Sequence, residues 1–178
     1  MRAVCVFCGS RPGARPEYLE LAGEVGRALA ARSIALVYGG ASVGLMGRMA
    51  DAALAAGGRV IGVIPRALVD REIAHAGLSE LLVVDTLHQR KALMADRSDA
   101  FVALPGGVGT LDELFEIFTW RVLGIHDKPI GLCDPLGYFD PLVRHVDHMV
   151  GEGFLEASHR ALLLRAASAG ELLDRLGG

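Results

Sequence analysis

Lysine is almost missing from this sequence: 178 residues contain only Lys91 and Lys128. Chemistry that needs a lysine amine, such as a Schiff base with pyridoxal phosphate, therefore has two candidates. Lys128 stands before Pro129 at the start of an expected strand. That leaves Lys91, in a chain small for such chemistry. Cysteine is sparse too. Cys5, Cys8 and Cys133 are an odd set that builds no disulfide framework and favours a reducing, cytoplasmic setting. Cys5 and Cys8 form a C-x-x-C on an expected strand, without the preceding helix N-terminus that would lower a thiol pKa, so they read as buried structural sulfur. Neither charge is in large excess: a formal −3 offers no basic field for nucleic acid. No apolar run approaches the roughly 18 residues of a membrane span. The opening "MRAVCVFCGS" lacks a signal peptide's cleavage site and reads as a first strand.

Apolar residues, by contrast, are abundant. At 52% hydrophobic and 22% charged, the chain has the composition of a compact domain, expected to be one unit over residues 1–178. Short apolar runs alternate with helical patterns. Strands are expected at 3–8, 34–38, 60–64, 81–85, 100–104, 129–133 and 161–165. Helices are expected at 16–31, 44–57, 87–98, 110–123, 138–151 and 168–176. The alternation gives the α/β class: a doubly wound, mostly parallel, Rossmann-like sheet with helices on both faces. Ligands bind such sheets at the carboxyl ends of the strands. Four loops of unusual chemistry fall there: Gly9-Ser10, "YGGASVGLMG" (38–47), "DTLHQRK" (85–91) and "PGGVGT" (105–110).

The two glycine loops differ in quality. "YGGASVGLMG" lacks the G-x-G-x-x-G spacing and position of a dinucleotide loop, and no G-K-[ST] follows it. Its glycines, Gly39 and Gly40 among them, suit either a tight turn or close backbone approach to a ligand; the second is favoured. "PGGVGT" is stronger. Gly106, Gly107 and Gly109 remove β-carbons so that backbone N–H groups can face an anion, Thr110 adds a hydroxyl, and a helix N-terminus follows. A phosphate fits without a lysine. Glu113 then stands three residues after Thr110, on the anion's side of the helix, while Asp112 and Glu116 point elsewhere. Leu111, Leu114, Phe115 and Phe118 form the expected core stripe. Two anions side by side repel unless something separates them, and a ribose would.

These residues resemble the LOG family of cytokinin riboside 5′-monophosphate phosphoribohydrolases, whose bacterial members often carry the label lysine decarboxylase-like. "PGGVGTLDE" fits the P-G-G-x-G-T-x-x-E signature. "VCVFCGS", "VYGGASVGLMG", "VIGVIP", "HQRKALM", "SDAFVALPGG" and "TWRVLGIHDKP" extend the likeness over most of residues 4–155. The resemblance implies a Rossmann-like homodimer that splits the N-glycosidic bond of an adenine-type nucleoside 5′-monophosphate and needs no cofactor. It implies Arg90 and Glu113 as the catalytic pair. Substrate contacts would come from Glu72, Arg90, Lys91 and the loop Gly107, Val108, Gly109, Thr110, Leu111, Asp112 and Glu113. Gly106, Ser10, Gly39 and Gly40 are added from their loops, and Met94, one turn after Arg90, is either an adenine contact or core. Three positions depart from the family pattern: Ala41 where a third glycine is frequent, "LHQRK" for "MHERK", and "LCD" for "LLN" at 132–134.

The chemistry agrees with the likeness. Glycosidic cleavage builds positive charge on the anomeric carbon, which a carboxylate such as Glu113 stabilises. A non-catalytic nucleotide-binding or carrier module would explain the glycines, though not Glu113 beside the anion. No metal site is expected: His145 and His148 share a helix face, but it reads as solvated. Trp120 is expected in core or dimer packing. His126 is expected to complement the end of its helix.

Overall fold

The computed structural model describes residues 1–69 and 74–177; Glu72 lies outside them. The seven strands are β1 (Ala3–Phe7), β2 (Ala35–Tyr38), β3 (Val60–Pro65), β4 (Glu80–Val84), β5 (Ala100–Ala103), β6 (Ile130–Cys133) and β7 (Leu163–Ala166). They form one sheet in the order β4-β3-β2-β1-β5-β6-β7, parallel at each pairing. The central strands are near-continuous apolar runs because both their faces are covered. All of β1 and β5 is buried, whereas edge strand β4 alternates and exposes Leu81 and Val83.

The helices are α1 (Glu17–Ala31), α2 (Gly44–Ala55), α3 (Leu87–Asp96), α4 (Val108–Val122), α5 (Asp140–Gly151), α6 (Ala157–Arg160) and α7 (Ala169–Gly177). One face of the sheet packs against α1, α2 and α7 through Ala22, Val25, Leu29, Leu45, Met49 and Leu172. The other packs against α3, α4 and α5 through Met94, Leu114, Ile117, Phe118 and Val143. Leu114 and Phe118 are core as expected, but Leu111 and Phe115 are only half-buried; Ile117 takes the remaining buried place on that face. Truncating Leu114 to alanine would cost about 2–5 kcal/mol, the usual price of a cavity in such a layer.

Two short elements have no counterpart in the sequence pattern: α6 and a 3-10 turn at Arg66–Leu68. Both are too short to show a period. More consequential, α4 begins at Val108 rather than at 110. Gly107 is its cap, with its carbonyl accepting from the Leu111 N–H at 3.2 Å. Glycine's poor helix propensity hid this start, and packing overrides it.

The chain adds β2, β3 and β4 on one side of β1, then returns through α3 to add β5 on the other. The order therefore reverses between β1 and β5, and a crevice opens beyond their carboxyl ends. The loops there are tied together. The Gly9 N–H donates to the Pro105 carbonyl at 3.1 Å, and the Gly9 carbonyl accepts from Leu45 at the start of α2 at 3.0 Å.

Candidate active site

A cavity of about 460 Å³ occupies this crevice, within the range of small-molecule sites. Its walls come from Cys8–Gly13 after β1, Leu45 and Met46 on α2, Arg90 on α3, Pro105–Thr110 after β5, Glu113 on α4 and Tyr18 with Tyr138 at one side. The glycine loop gives it an anion cradle. A helix's first turn leaves N–H groups without intrahelical acceptors, and here that turn is Val108, Gly109 and Thr110. Thr110 is buried, and a β-carbon on Gly106 would fall 2.0 Å from its Oγ1. At Gly107 and Gly109 an added β-carbon would meet nothing within 4 Å. Both glycines line the cavity, so this open space is available to a ligand.

Arg90 is held from α3. That helix starts in a capping box: the Gln89 N–H donates to Thr86 Oγ1 at 3.1 Å, and the Thr86 N–H donates to Gln89 Oε1 at 3.3 Å. Glutamine closes such a box as glutamate does, which accounts for "HQRK" in place of "HERK". Arg90 is 7% exposed, and its Nη2 donates to the Gly39 carbonyl at 3.2 Å. Its Nε is buried with no hydrogen-bond partner among the described residues. A buried charged donor without a partner, on a side chain that lines the cavity, is suited to a ligand. Glu113 is half-buried on the same cavity. Burial first, and then the charge of Glu113, pushes the Cys8 thiol far above its usual range. Cys5 is likewise raised by burial and by Glu113, with Arg90 opposing. The Glu113 charge thus reaches Cys8 in the cavity wall and Cys5 in the core behind it, and both thiols stay protonated.

The structure brings Arg90, Glu113, Ser10, Gly106, Gly107, Val108, Gly109 and Thr110 together around this cavity. Other expected residues lie outside its walls. Met94 is fully buried in the core beneath, so the adenine-contact alternative gives way to packing. Gly39 and Gly40 are not among its walls, and the space left by their missing β-carbons is taken by protein. A β-carbon on Gly39 would stand 2.0 Å from Arg90 Nη2, and Gly40 backs onto Ile64 and Leu81. Leu111 and Asp112 turn toward α3 and solvent. Lys91 bonds Asp112 at 3.1 Å and Glu116 at 2.9 Å. Burial works against its charge, yet the Glu116 and Asp112 carboxylates hold its pKa above the usual lysine range. Lys128 donates to the Ala95 carbonyl at 2.8 Å. Neither lysine is among the cavity's walls, so these residues do not fit a pyridoxal phosphate Schiff base there. Among the described residues no group of three or more His, Cys, Asp or Glu is arranged to hold a metal.

Sequence reasoning missed Tyr18, Tyr138, Leu45 and Met46. The tyrosines carried a usable signal: the chain has three, and these two fall next to loops at the carboxyl edge of the sheet.

Comparison with known proteins adds the family. The family described as "Possible lysine decarboxylase" matches residues 46–176. A rice relative, "Probable cytokinin riboside 5′-monophosphate phosphoribohydrolase LOGL2", is 51% identical over 98% of this chain and 72% of its own length. The Arabidopsis thaliana "Cytokinin riboside 5′-monophosphate phosphoribohydrolase LOG1" is 49% identical over 98% of this chain and 82% of its own. The chain belongs to the LOG family. Among solved structures, the molybdenum cofactor carrier protein of Chlamydomonas reinhardtii superposes with a TM-score of 0.75 at 22% identity, over 99% of this chain and 96% of that one. At that identity the likeness concerns the fold alone. Within a LOG-family chain, the signature from Pro105 to Glu113 thus runs from the end of β5 into α4, and its glycines and its carboxylate line one cavity.

Proposed function

We propose that this protein hydrolyses the N-glycosidic bond of adenine-type, cytokinin riboside 5′-monophosphates, releasing the free base and ribose 5-phosphate. The observation that carries the proposal is that the open glycine cradle, Glu113 and Arg90 all line one cavity. Glu113 stands three residues, about 4.5 Å of helical rise, beyond Thr110 at the end of the cradle. A 5′-phosphate held by the first-turn N–H groups and Thr110 sets its ribose beside that carboxylate. The anomeric C–N bond breaks with its electron pair leaving on the base nitrogen. Positive charge spreads over the anomeric carbon and ring oxygen, and Glu113 faces it. Water adds to that carbon and gives up a proton for which Glu113 is the acceptor at hand. Arg90 holds phosphate or base through its fork and orients the carboxylate. The relatives named as phosphoribohydrolases, near 50% identical along nearly the whole chain, support this substrate class.

The test is chromatography of products from AMP, N6-isopentenyl-AMP, GMP and CMP side by side. Base and ribose 5-phosphate are expected from the adenine nucleotides; release from none of the four overturns the hydrolase. Glu113→Ala and Arg90→Ala should each lose about 10²-fold or more in turnover while remaining folded. Tight nucleotide binding without any base release would instead favour a carrier module.

We further propose a homodimer. The outer face of α4 and the turn after it expose Val108 (85%), Leu123 (68%) and Ile125 (64%) beside a groove formed by Leu111, Phe115 and Trp120. Contiguous apolar surface of this kind is suited to a second copy. Light scattering should return twice the chain mass, and a monomer would count against it. A cytoplasmic location is consistent with three buried cysteines that remain free. Among the described residues no helix is long and apolar enough to cross a membrane.

A further inference from the structure

The loop after β6 reaches the cradle through one hydroxyl. Tyr138 O–H donates to the Gly106 carbonyl at 2.5 Å. Gly106 and Gly107 share the peptide that opens the cradle. In a trans peptide the carbonyl and the following N–H point opposite ways. With the Gly106 carbonyl taken by Tyr138, the Gly107 N–H is directed to the other side. The reverse orientation would present a carbonyl dipole to a dianion. A peptide flanked by two glycines has the fewest steric obstacles to that reversal, so an external bond has something to prevent.

Tyr138 is itself placed with unusual care. The Asp134 side chain is fully buried at the end of β6, and it accepts the Tyr138 N–H at 2.7 Å and the Phe139 N–H at 3.0 Å. Arg165 on β7 bonds the same carboxylate at 2.7 Å and also reaches Asp140. The turn between them is made at Gly137, whose φ of +70° strains any other residue. The tyrosine ring is fixed edge-on against Tyr18, 5.8 Å between centroids, and Phe139, 5.1 Å. Asp134 is also the position at which "LCD" departs from the family's "LLN". An acid there gains the Arg165 partner while still receiving both backbone donors.

We propose that Tyr138 is a positioning residue for phosphate recognition: its hydroxyl fixes the Gly106–Gly107 peptide so that the Gly107 N–H joins those of Val108, Gly109 and Thr110 at the substrate's 5′-phosphate, and the Arg165–Asp134 pair fixes Tyr138. The inference rests on the function proposed above. It differs in assigning work to an element outside the glycine signature, and it predicts an effect confined to the phosphate end of the ligand.

The experiment compares wild type with Tyr138→Phe, which keeps the ring contacts and removes only the hydroxyl. Calorimetry measures ribose 5-phosphate binding, kinetics measure base release from N6-isopentenyl-AMP, and the matching riboside, lacking phosphate, serves as a competitive inhibitor. Losing one such hydrogen bond should weaken ribose 5-phosphate and raise KM by about tenfold. Turnover at saturation, riboside inhibition and thermal midpoint should stay near wild type. Unchanged ribose 5-phosphate affinity overturns the proposal, and so does equal weakening of riboside and ribose 5-phosphate, which would mark a general disturbance of the cavity. The two readings separate cleanly. Wild type that binds ribose 5-phosphate but releases no base refutes the hydrolase while the binding comparison still judges Tyr138. Wild type that releases base but binds no ribose 5-phosphate keeps the hydrolase and overturns the role given to Tyr138.

Discussion

The loops after β2 and after β5 look alike in composition and differ in what their glycines face. After β2, the missing β-carbons are replaced by the protein itself. A β-carbon on Gly39 would strike Arg90 Nη2 at 2.0 Å, one on Gly47 the Ser42 carbonyl oxygen at 2.1 Å, and one on Gly44 the backbone of Ser10 at 2.3 Å. After β5, Gly106 is filled by Thr110, but Gly107 and Gly109 meet nothing within 4 Å. The first loop is small so that an arginine and a neighbouring loop can come close. The second is small where no protein atom comes close, and that difference separates a loop filled by protein from one with room for a ligand. Glycine content alone does not.

Substitutions can break the comparison. Gly39→Ala should do most harm to activity, because its methyl displaces the guanidinium of Arg90. A shift of about 1 Å in a reacting group can cost on the order of 10²-fold, so kcat/KM for nucleotide hydrolysis should fall by that order. Near-normal kinetics would show that Arg90 has no need of this seat. Gly47→Ala should act on stability instead, lowering it by about 1–3 kcal/mol through overpacking, visible as a reduced midpoint in urea or heat. Gly107→Ala is the sharpest contrast. Its methyl meets no protein atom, so unfolding should stay within about 0.5 kcal/mol of wild type while KM for the monophosphate rises. An unchanged KM would mean that the open space at Gly107 is not where the ligand lies.

The smallest effect is expected from a proton at the far end of α4. The His126 ring lies against Phe101, its Nδ1 accepts the Lys128 N–H at 3.2 Å, and its Nε2 bonds the Ile117 carbonyl at 3.1 Å. Burial lowers its pKa, against the favourable Ile117 bond. The unfolded chain therefore takes up this proton first. The stability contribution is full above the ordinary histidine value of about 6.5 and is lost as pH falls from there toward the lowered folded value. Urea unfolding of wild type and His126→Asn between these values should show a pH slope only in wild type. Equal slopes would remove His126 as its source.

Much of this was legible in the sequence because much of it is local. Seven apolar runs and their intervening periodic segments correspond to β1–β7 and six of the helices, since period and propensity act over a few residues. The pairing of cradle and carboxylate was legible for the same reason: Thr110 and Glu113 are three residues apart on one helix. The departures from the family pattern were legible as differences but not as meanings. Gln89 closes a capping box, Ala41 receives the Tyr38 hydroxyl on its carbonyl and bridges Ala74, and Asp134 pairs with Arg165.

Lys91 and Met94 mark the boundary. Both neighbour Arg90 in sequence, and a motif reads all three as one group. A helix turns the next residue by about 100° and returns the fourth to nearly the same face one turn further along, where that face lies against the core. Lys91 thus meets Asp112 and Glu116, Met94 enters the core, and Arg90 alone reaches the cavity. By itself the sequence determined the strands, the helices, the glycine cradle and the acid beside it, all fixed by interactions between near neighbours. Only the tertiary structure decided which glycines are open, where Arg90 is seated and that Tyr138 touches the cradle. Those contacts join residues 51 and 32 positions apart, and chain distance carries no record of them until the sheet brings its strand ends together.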